Sequence, residues 1–160
     1  MNYYIKQKVF SWKDKFNIYD QQGNPHFYVE GEFLTLGKKL HFQDMYGNEL
    51  LFIHQKVLSF LMRYYISKNG TDIAEVVKKI TFLKPKYYVD GFGWEVEGDF
   101  FAHSYEIKQG GYTVARVQKR WLTWGDTYEI AIASGYDEVN VLAVVLVIDA
   151  CMEASQNAAT

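Results

Sequence analysis

One short motif is written twice in this chain. Val29-Glu30-Gly31-Glu32-Phe33 returns as Val96-Glu97-Gly98-Asp99-Phe100. A second echo follows each copy: Ser59-Phe60, three residues, Tyr64-Tyr65-Ile66 returns as Thr123-Trp124, three residues, Tyr128-Glu129-Ile130. Two halves built on one β-rich unit must share one architecture, so residues about 1–67 and 68–133 are read as pseudo-repeats. The apolar segment after them has no counterpart.

Alternation and turn residues divide the first 133 residues into about a dozen short strands. They are expected near Tyr3–Phe10, Lys15–Tyr19, His26–Leu34, Lys38–Gln43, Glu49–Lys56 and Arg63–Ser67. The second set is expected near Asp72–Ile80, Lys86–Asp90, Trp94–Ala102, His103–Lys108, Tyr112–Lys119 and Thr127–Ala133. Turn formers such as Tyr46-Gly47-Asn48, Asn69-Gly70 and Gly110-Gly111 fall between runs. Tyr, Phe and Trp make up 18% of the chain, which suits a pleated, half-buried surface and argues against disorder.

The segment from Val141 to Ile148 is apolar whatever the period, so periodicity alone does not separate buried strand from buried helix. Its β-branched residues favour a strand. Its flanks favour a helix: Ser134 and Asp137 are spaced as in a capping box, Asp137 and Glu138 suit a helix N-terminus, and Ala150 to Ala154 are mostly helix formers. A helix from Asp137 to Ala154 would be about 27 Å long. That is about the height of a barrel of seven- or eight-residue strands. Twelve strands leave room inside a barrel where eight do not. The expectation is a mainly β fold: one closed antiparallel barrel spanning residues 1–155, enclosing a hydrophobic helix at about 137–154, with a short tail at 156–160.

Three segments carry a family resemblance: Lys6 to Phe16, Gly91-Phe92-Gly93-Trp94-Glu95-Val96-Glu97-Gly98-Asp99-Phe100, and Trp121-Leu122-Thr123-Trp124-Gly125-Asp126-Thr127-Tyr128-Glu129-Ile130. They resemble the LURP-one-related family, in particular its YxjI-like branch. The resemblance implies the tubby C-terminal-like fold, a twelve-stranded barrel threaded by a C-terminal helix. By analogy with tubby it also implies binding to membrane phosphoinositides, an inference that rests on fold alone.

Catalytic chemistry is thinly represented. His26, His41, His54 and His103 lack metal-ligand spacing, and Cys151 stands alone. There is no phosphate loop, dinucleotide fingerprint or nucleophile elbow. The pairs Glu30/Glu32 and Glu97/Asp99 read as solvated strand charges rather than acid–base pairs. Asp137, Glu138 and Asn140 lack the ligand alternation of a calcium loop. Asp149, directly after the apolar run, is expected near the barrel mouth with hydrogen-bond partners. No cofactor or metal is expected.

Charge offers the best binding hint. Residues 129–160 hold Glu129, Asp137, Glu138, Asp149 and Glu153 with no Lys or Arg, which leaves 17 basic and 14 acidic side chains before them, a balance of +3. That is too weak for a nucleic-acid binder. The basic residues recur at equivalent corners: Lys13 and Lys15, Arg63, then Lys84 and Lys86. These five are the candidate anionic-surface residues, with solvated turn charges as the plainer reading. The functional expectation is a non-enzymatic binding or scaffold module, peripheral at an anionic membrane or phosphoinositide-like headgroup, or engaging a protein partner. The alternatives are an enzyme or carrier acting at a barrel mouth and a scramblase-like membrane protein. Residues 139–152 are too short and too polar at Asn140 and Asp149 for a transmembrane span. The lone cysteine and the opening residues suggest a cytoplasmic location.

Overall fold

A computed structural model describes residues 1–6, 15–82, 84–122 and 125–159, with the backbone alone at 121, 122, 125 and 126. Lys13 and the corner around Ser11-Trp12 lie outside the described residues, as do Thr123 and Trp124. The first half supplies β1 (Asn2–Lys6), β2 (Lys15–Tyr19), β3 (Pro25–Gly31), β4 (Lys39–Asp44), β5 (Glu49–Gln55) and β6 (Arg63–Lys68). The second supplies β7 (Thr71–Lys79), β8 (Lys86–Asp90), β9 (Trp94–Asp99), β10 (Ser104–Gln109), β11 (Tyr112–Leu122) and β12 (Gly125–Ile132), and α1 (Glu138–Ala158) ends the fold.

The strands follow one another round a closed antiparallel barrel, and β1 pairs with β12 to seal it. Closure removes the sheet edges that an open meander would leave to aggregate. The two copies of the repeated motif fall on β3 and β9, six strands apart on the ring. Val29 and Val96 both face the interior, opposite Phe42 and Ile107. Strict alternation supplies one core-facing side per strand, as with Phe16 and Ile18 on β2 or Leu51 and Ile53 on β5.

That inner face packs on α1. From Val141 to Met152 every helix residue is buried, so the helix is apolar on all sides because the sheet surrounds it on all sides. This answers the strand-or-helix ambiguity of the apolar run. Its cap differs from the capping box expected at Ser134. Asp137 is itself the N-cap, in extended geometry, and its carboxylate accepts from the Asn140 backbone N–H.

Two boundaries also differ from expectation. The helix runs to Ala158 rather than ending near Ala154, so residues 156–158 continue α1 instead of forming a tail. Lys78 Nζ donates to Ser155 Oγ at 3.0 Å, and Ser155 donates to the Cys151 carbonyl at 2.8 Å, which ties that last stretch to the barrel. The apolar stretch Phe100 to His103, expected to join two abutting strands, is a loop between β9 and β10. Phe100 turns inward against Tyr87 and Tyr105, while Phe101 is exposed.

Gly98 explains part of that break. Its φ is +146°, and a Cβ there would lie 2.5 Å from Tyr105 Cα and 2.6 Å from the Ser104 carbonyl oxygen. Only glycine lets β9 and β10 approach so closely at this point.

Candidate anion-binding cleft

Because the ring is antiparallel and even in number, β2, β4, β6, β8, β10 and β12 all begin at the same end of the barrel. Lys15, Arg63, Lys84 and Lys86 therefore share that end. They do not share one site. Lys15 on β2 pairs with Glu30 at 2.9 Å, and Arg63 on β6 pairs with Glu75 at 2.8 Å. The strands β2 and β8 lie six apart on the ring. Lys84 and Lys86 alone among the described candidates enter one concavity.

That concavity is a cleft of about 460 Å³ on the outer wall of β8 to β11. Its charged lining is Lys84, Lys86, Lys108 and Arg116 around Glu97 and Glu106. Register builds it. Glu97 stands opposite Glu106 on β10, and Glu106 stands opposite Arg116 on β11. Two carboxylates directly opposed across strands repel. Lys108 relieves this by reaching both, at 2.6 Å to Glu97 and 3.3 Å to Glu106. Lys86 holds the other Glu97 oxygen at 3.0 Å, and Arg116 holds Glu106 at 2.6 Å.

The cations hold both carboxylates in their charged form. Hydrogen bonds from Lys108 and then Lys86 pull Glu97 down to about 2. Arg116, then Lys108, lower Glu106. Four cations against two carboxylates leave the cleft at +2. Half-exposed ion pairs contribute little to stability, so they can be exchanged for a better acceptor. An ammonium has three donors, and one carboxylate oxygen occupies at most part of that capacity. Ser104 and Gln118 add polar groups to the wall. Lys84 makes no ion pair among the described residues. Its backbone is held in the β7–β8 loop by Thr81, whose hydroxyl donates to the Lys84 carbonyl and accepts from the Lys84 N–H.

Lys108 and Arg116 escaped the sequence reading. They belong to no repeated corner, and only the ring order brings β10 and β11 beside β8 and β9. Their signal was the outward alternation Glu106-x-Lys108 facing Glu95-x-Glu97.

A second polar group lies inside the barrel. His103 stacks on Tyr128 with ring centres 4.1 Å apart, and Tyr128 Oη lies 3.1 Å from His103 Nε2. His103 Nδ1 is 3.8 Å from Asp149 Oδ1. Asp149 was expected near the mouth with hydrogen-bond partners. It lies against the β9–β10 loop at one barrel end, but it is buried and neither oxygen accepts a hydrogen bond among the described residues. The Tyr105 hydroxyl is likewise buried without one. Burial raises Asp149, with His103 partly opposing the shift. Burial also pushes the Cys151 thiol up to about 12. The helix fills the space where a substrate would have to enter this interior.

Other charged side chains find partners elsewhere on the wall. Glu32 meets Lys39 and His41, and Asp99 accepts from the Ala102 N–H. His41 also contacts Glu49, and His54 lies 3.3 Å from Asp72. Among the described residues no group of three His, Cys, Asp or Glu is placed to hold a metal, and no helix is long and apolar enough to cross a membrane.

Known proteins resemble this chain in sequence and in fold. The family model described as LURP-one-related matches residues 1–149. The uncharacterized protein YxjI of Bacillus subtilis (strain 168) is 42% identical over 146 residues, covering 91% of this chain and 90% of that one. The X-ray structure of a protein from Arabidopsis thaliana superposes with a TM-score of 0.69 at 16% identity, covering 94% of this chain and 90% of the other. That likeness is one of fold.

Proposed function

The chain belongs to the LURP-one-related family, and we propose that it acts as a non-enzymatic binding module that holds an anionic lipid headgroup in the β8–β11 cleft. The carrying observation is the outward-facing group of Lys84, Lys86, Lys108 and Arg116 around two carboxylates. A phosphate-bearing headgroup of the phosphoinositide class offers the oxygens these donors favour, and the guanidinium of Arg116 can engage one in a fork. Such binding is electrostatic, contributes about 1 kcal/mol per basic residue near an anionic surface, and is screened by salt.

The barrel-mouth enzyme or carrier has less support. A catalytic pocket needs converging polar groups open to substrate, and the interior polar groups here are packed against α1. A scramblase-like role for the apolar segment would require the barrel to release a helix whose central residues have no exposed surface.

Sedimentation with vesicles tests the proposal. The protein should pellet with phosphatidylcholine vesicles containing an anionic phospholipid at low salt, and release as salt rises. Equal recovery with neutral and anionic vesicles would remove the headgroup reading.

A further inference from the structure

The two ends of the barrel are unlike. At the end where the even-numbered strands begin, four successive hairpin loops carry large apolar side chains into solvent. The β3–β4 loop presents Leu34 and Leu36, the β5–β6 loop Leu58 and Phe60, the β7–β8 loop Phe82 and the β9–β10 loop Phe101. Phe60 and Phe82 have relative exposures of 102% and 108%, as open as in an extended peptide. These loops join consecutive strands, so their tips are neighbours along one rim. A contiguous exposed apolar rim of this kind marks an interaction surface.

The opposite end is made of tight polar turns. Asp20 and Asp44 each accept from backbone N–H groups within their turns, and Asp72, Asp90, Asp137 and Glu138 lie at the same end. Exposed there are Met1, then Met45 and Tyr46 in the β4–β5 turn, and Tyr112 at the start of β11, with no aliphatic or Phe side chain among them. The apolar rim instead carries Lys56 and Lys84 within its loops, and Lys79 over the Tyr88 ring at 4.1 Å. Of the carboxylates near it, Glu32, Glu153 and Glu30 are held by Lys39, Lys38 and Lys15, and Asp99 accepts from the Ala102 N–H. Charge and hydrophobicity are thus separated along one axis.

We propose that this rim inserts into the interfacial layer of an anionic membrane, with the barrel axis steep to the surface and the acidic end facing water. This rests on the headgroup reading of the cleft and adds to it how the barrel sits. The occupant is a lipid surface because the described rim is an arc of separate projecting tips rather than a groove. A fluid interface can fill the gaps between tips, and lysines beside aromatic rings suit the headgroup boundary. Charge complementarity selects the orientation, since the opposite end would be repelled. Amphipathic elements bury apolar groups about 5–10 Å into that boundary. At that depth Lys84, two residues from Phe82, comes to headgroup level at the upper edge of the cleft.

The test uses fluorescent labels placed one at a time. Phe60→Cys and Phe82→Cys report the rim, and Tyr46→Cys reports the opposite end. Cys151 is buried and leaves the introduced thiol as the reactive one. With vesicles of phosphatidylcholine and phosphatidylserine carrying a nitroxide on the acyl chain, the rim labels should shift to the blue and be quenched, while the label at 46 stays in water. Phe60→Ser/Phe82→Ser should weaken vesicle partitioning at least ten-fold with unchanged melting. Rim labels that remain in water while the protein sediments with vesicles would overturn insertion and leave the cleft reading standing. Insertion undiminished in Lys84→Ser/Lys86→Ser would sustain this proposal against the cleft. Rim labels that shift with protein concentration in the absence of lipid would identify a second copy of the chain as the occupant and overturn it. Absence of any vesicle binding at low salt overturns both.

Discussion

Asp149 Oδ1 lies 3.8 Å from His103 Nδ1 within the barrel, too far for a hydrogen bond. The helix thus carries a carboxyl group whose neighbours are His103 from the β9–β10 loop, Tyr87 and Tyr105 from the wall, and Cys151 two residues on along the helix, with Tyr128 on the His103 ring. Burial raises its pKa, so folding favours the protonated form. The associated stability is present below the unfolded value and is lost as pH rises through the higher folded value.

Asp149→Asn removes that penalty without changing shape. The variant should melt higher than wild type at pH 8, by about 3–8 °C if the carboxylate costs roughly 1–2 kcal/mol. The difference should shrink below about pH 4, where the wild-type group is protonated in both states. Thermal melts at the two pH values decide it. A variant less stable at pH 8 would mean the carboxylate has a partner that this geometry lacks.

Val144 lies in the buried run of α1 with no exposed surface. Val144→Ala should lose about 2–3 kcal/mol, the transfer energy of the missing methyl groups plus the cavity left behind. Val144→Asp should give insoluble or unfolded protein, because it buries a charge with no counter-charge. Denaturant titration of the alanine variant and soluble yield of the aspartate variant check this. A soluble Val144→Asp with unchanged melting would place the helix outside the sheet.

Gly98→Ala should destabilise by about 2–4 kcal/mol. The new Cβ would collide with backbone of Ser104 and Tyr105, at a φ that alanine rarely adopts. Gly47→Ala makes the control. It also has positive φ, but nothing lies within 4 Å of the added carbon, so it should lose only about 1 kcal/mol. Equal losses would assign the Gly98 effect to conformation alone.

The sequence disclosed the barrel and its helix because both rest on patterns local to the chain. Val29–Phe33 and Val96–Phe100 repeat, strands alternate at Phe16/Ile18 and Leu51/Ile53, and the run from Val141 to Ile148 is apolar on every face. The cleft was half legible. Lys84 and Lys86 stood out as corner residues, whereas Lys108 and Arg116 join them only through pairing of β8 to β11. The rim was legible at Phe82, beside the basic corner of Lys84 and Lys86, whereas Leu34, Leu36, Leu58 and Phe101 join it only because the antiparallel ring brings their loops to one end. Phe100 to His103 read as strand because alternation does not announce where pairing stops. His103 and Tyr105 are near neighbours in sequence, but Asp149 is far from both, and nothing local marks their meeting.

The cleft's own charge arrangement provides the most direct measurement. Glu97→Gln frees Lys86, leaves Lys108 paired with Glu106 alone and raises the cleft from +2 to +3, while Lys84→Ser/Lys86→Ser lowers it to neutral. Lys15→Ser/Arg63→Ser removes the same number of cations at the same barrel end but away from the cleft. Titration of the four proteins with vesicles of phosphatidylcholine and a phosphoinositide, at one low salt concentration, should rank affinity as Glu97→Gln above wild type, Lys15→Ser/Arg63→Ser within about two-fold of wild type, and Lys84→Ser/Lys86→Ser about ten-fold or more below it. Equal weakening by the two double variants, or no gain from Glu97→Gln, would show that the β8–β11 cleft does not hold the headgroup.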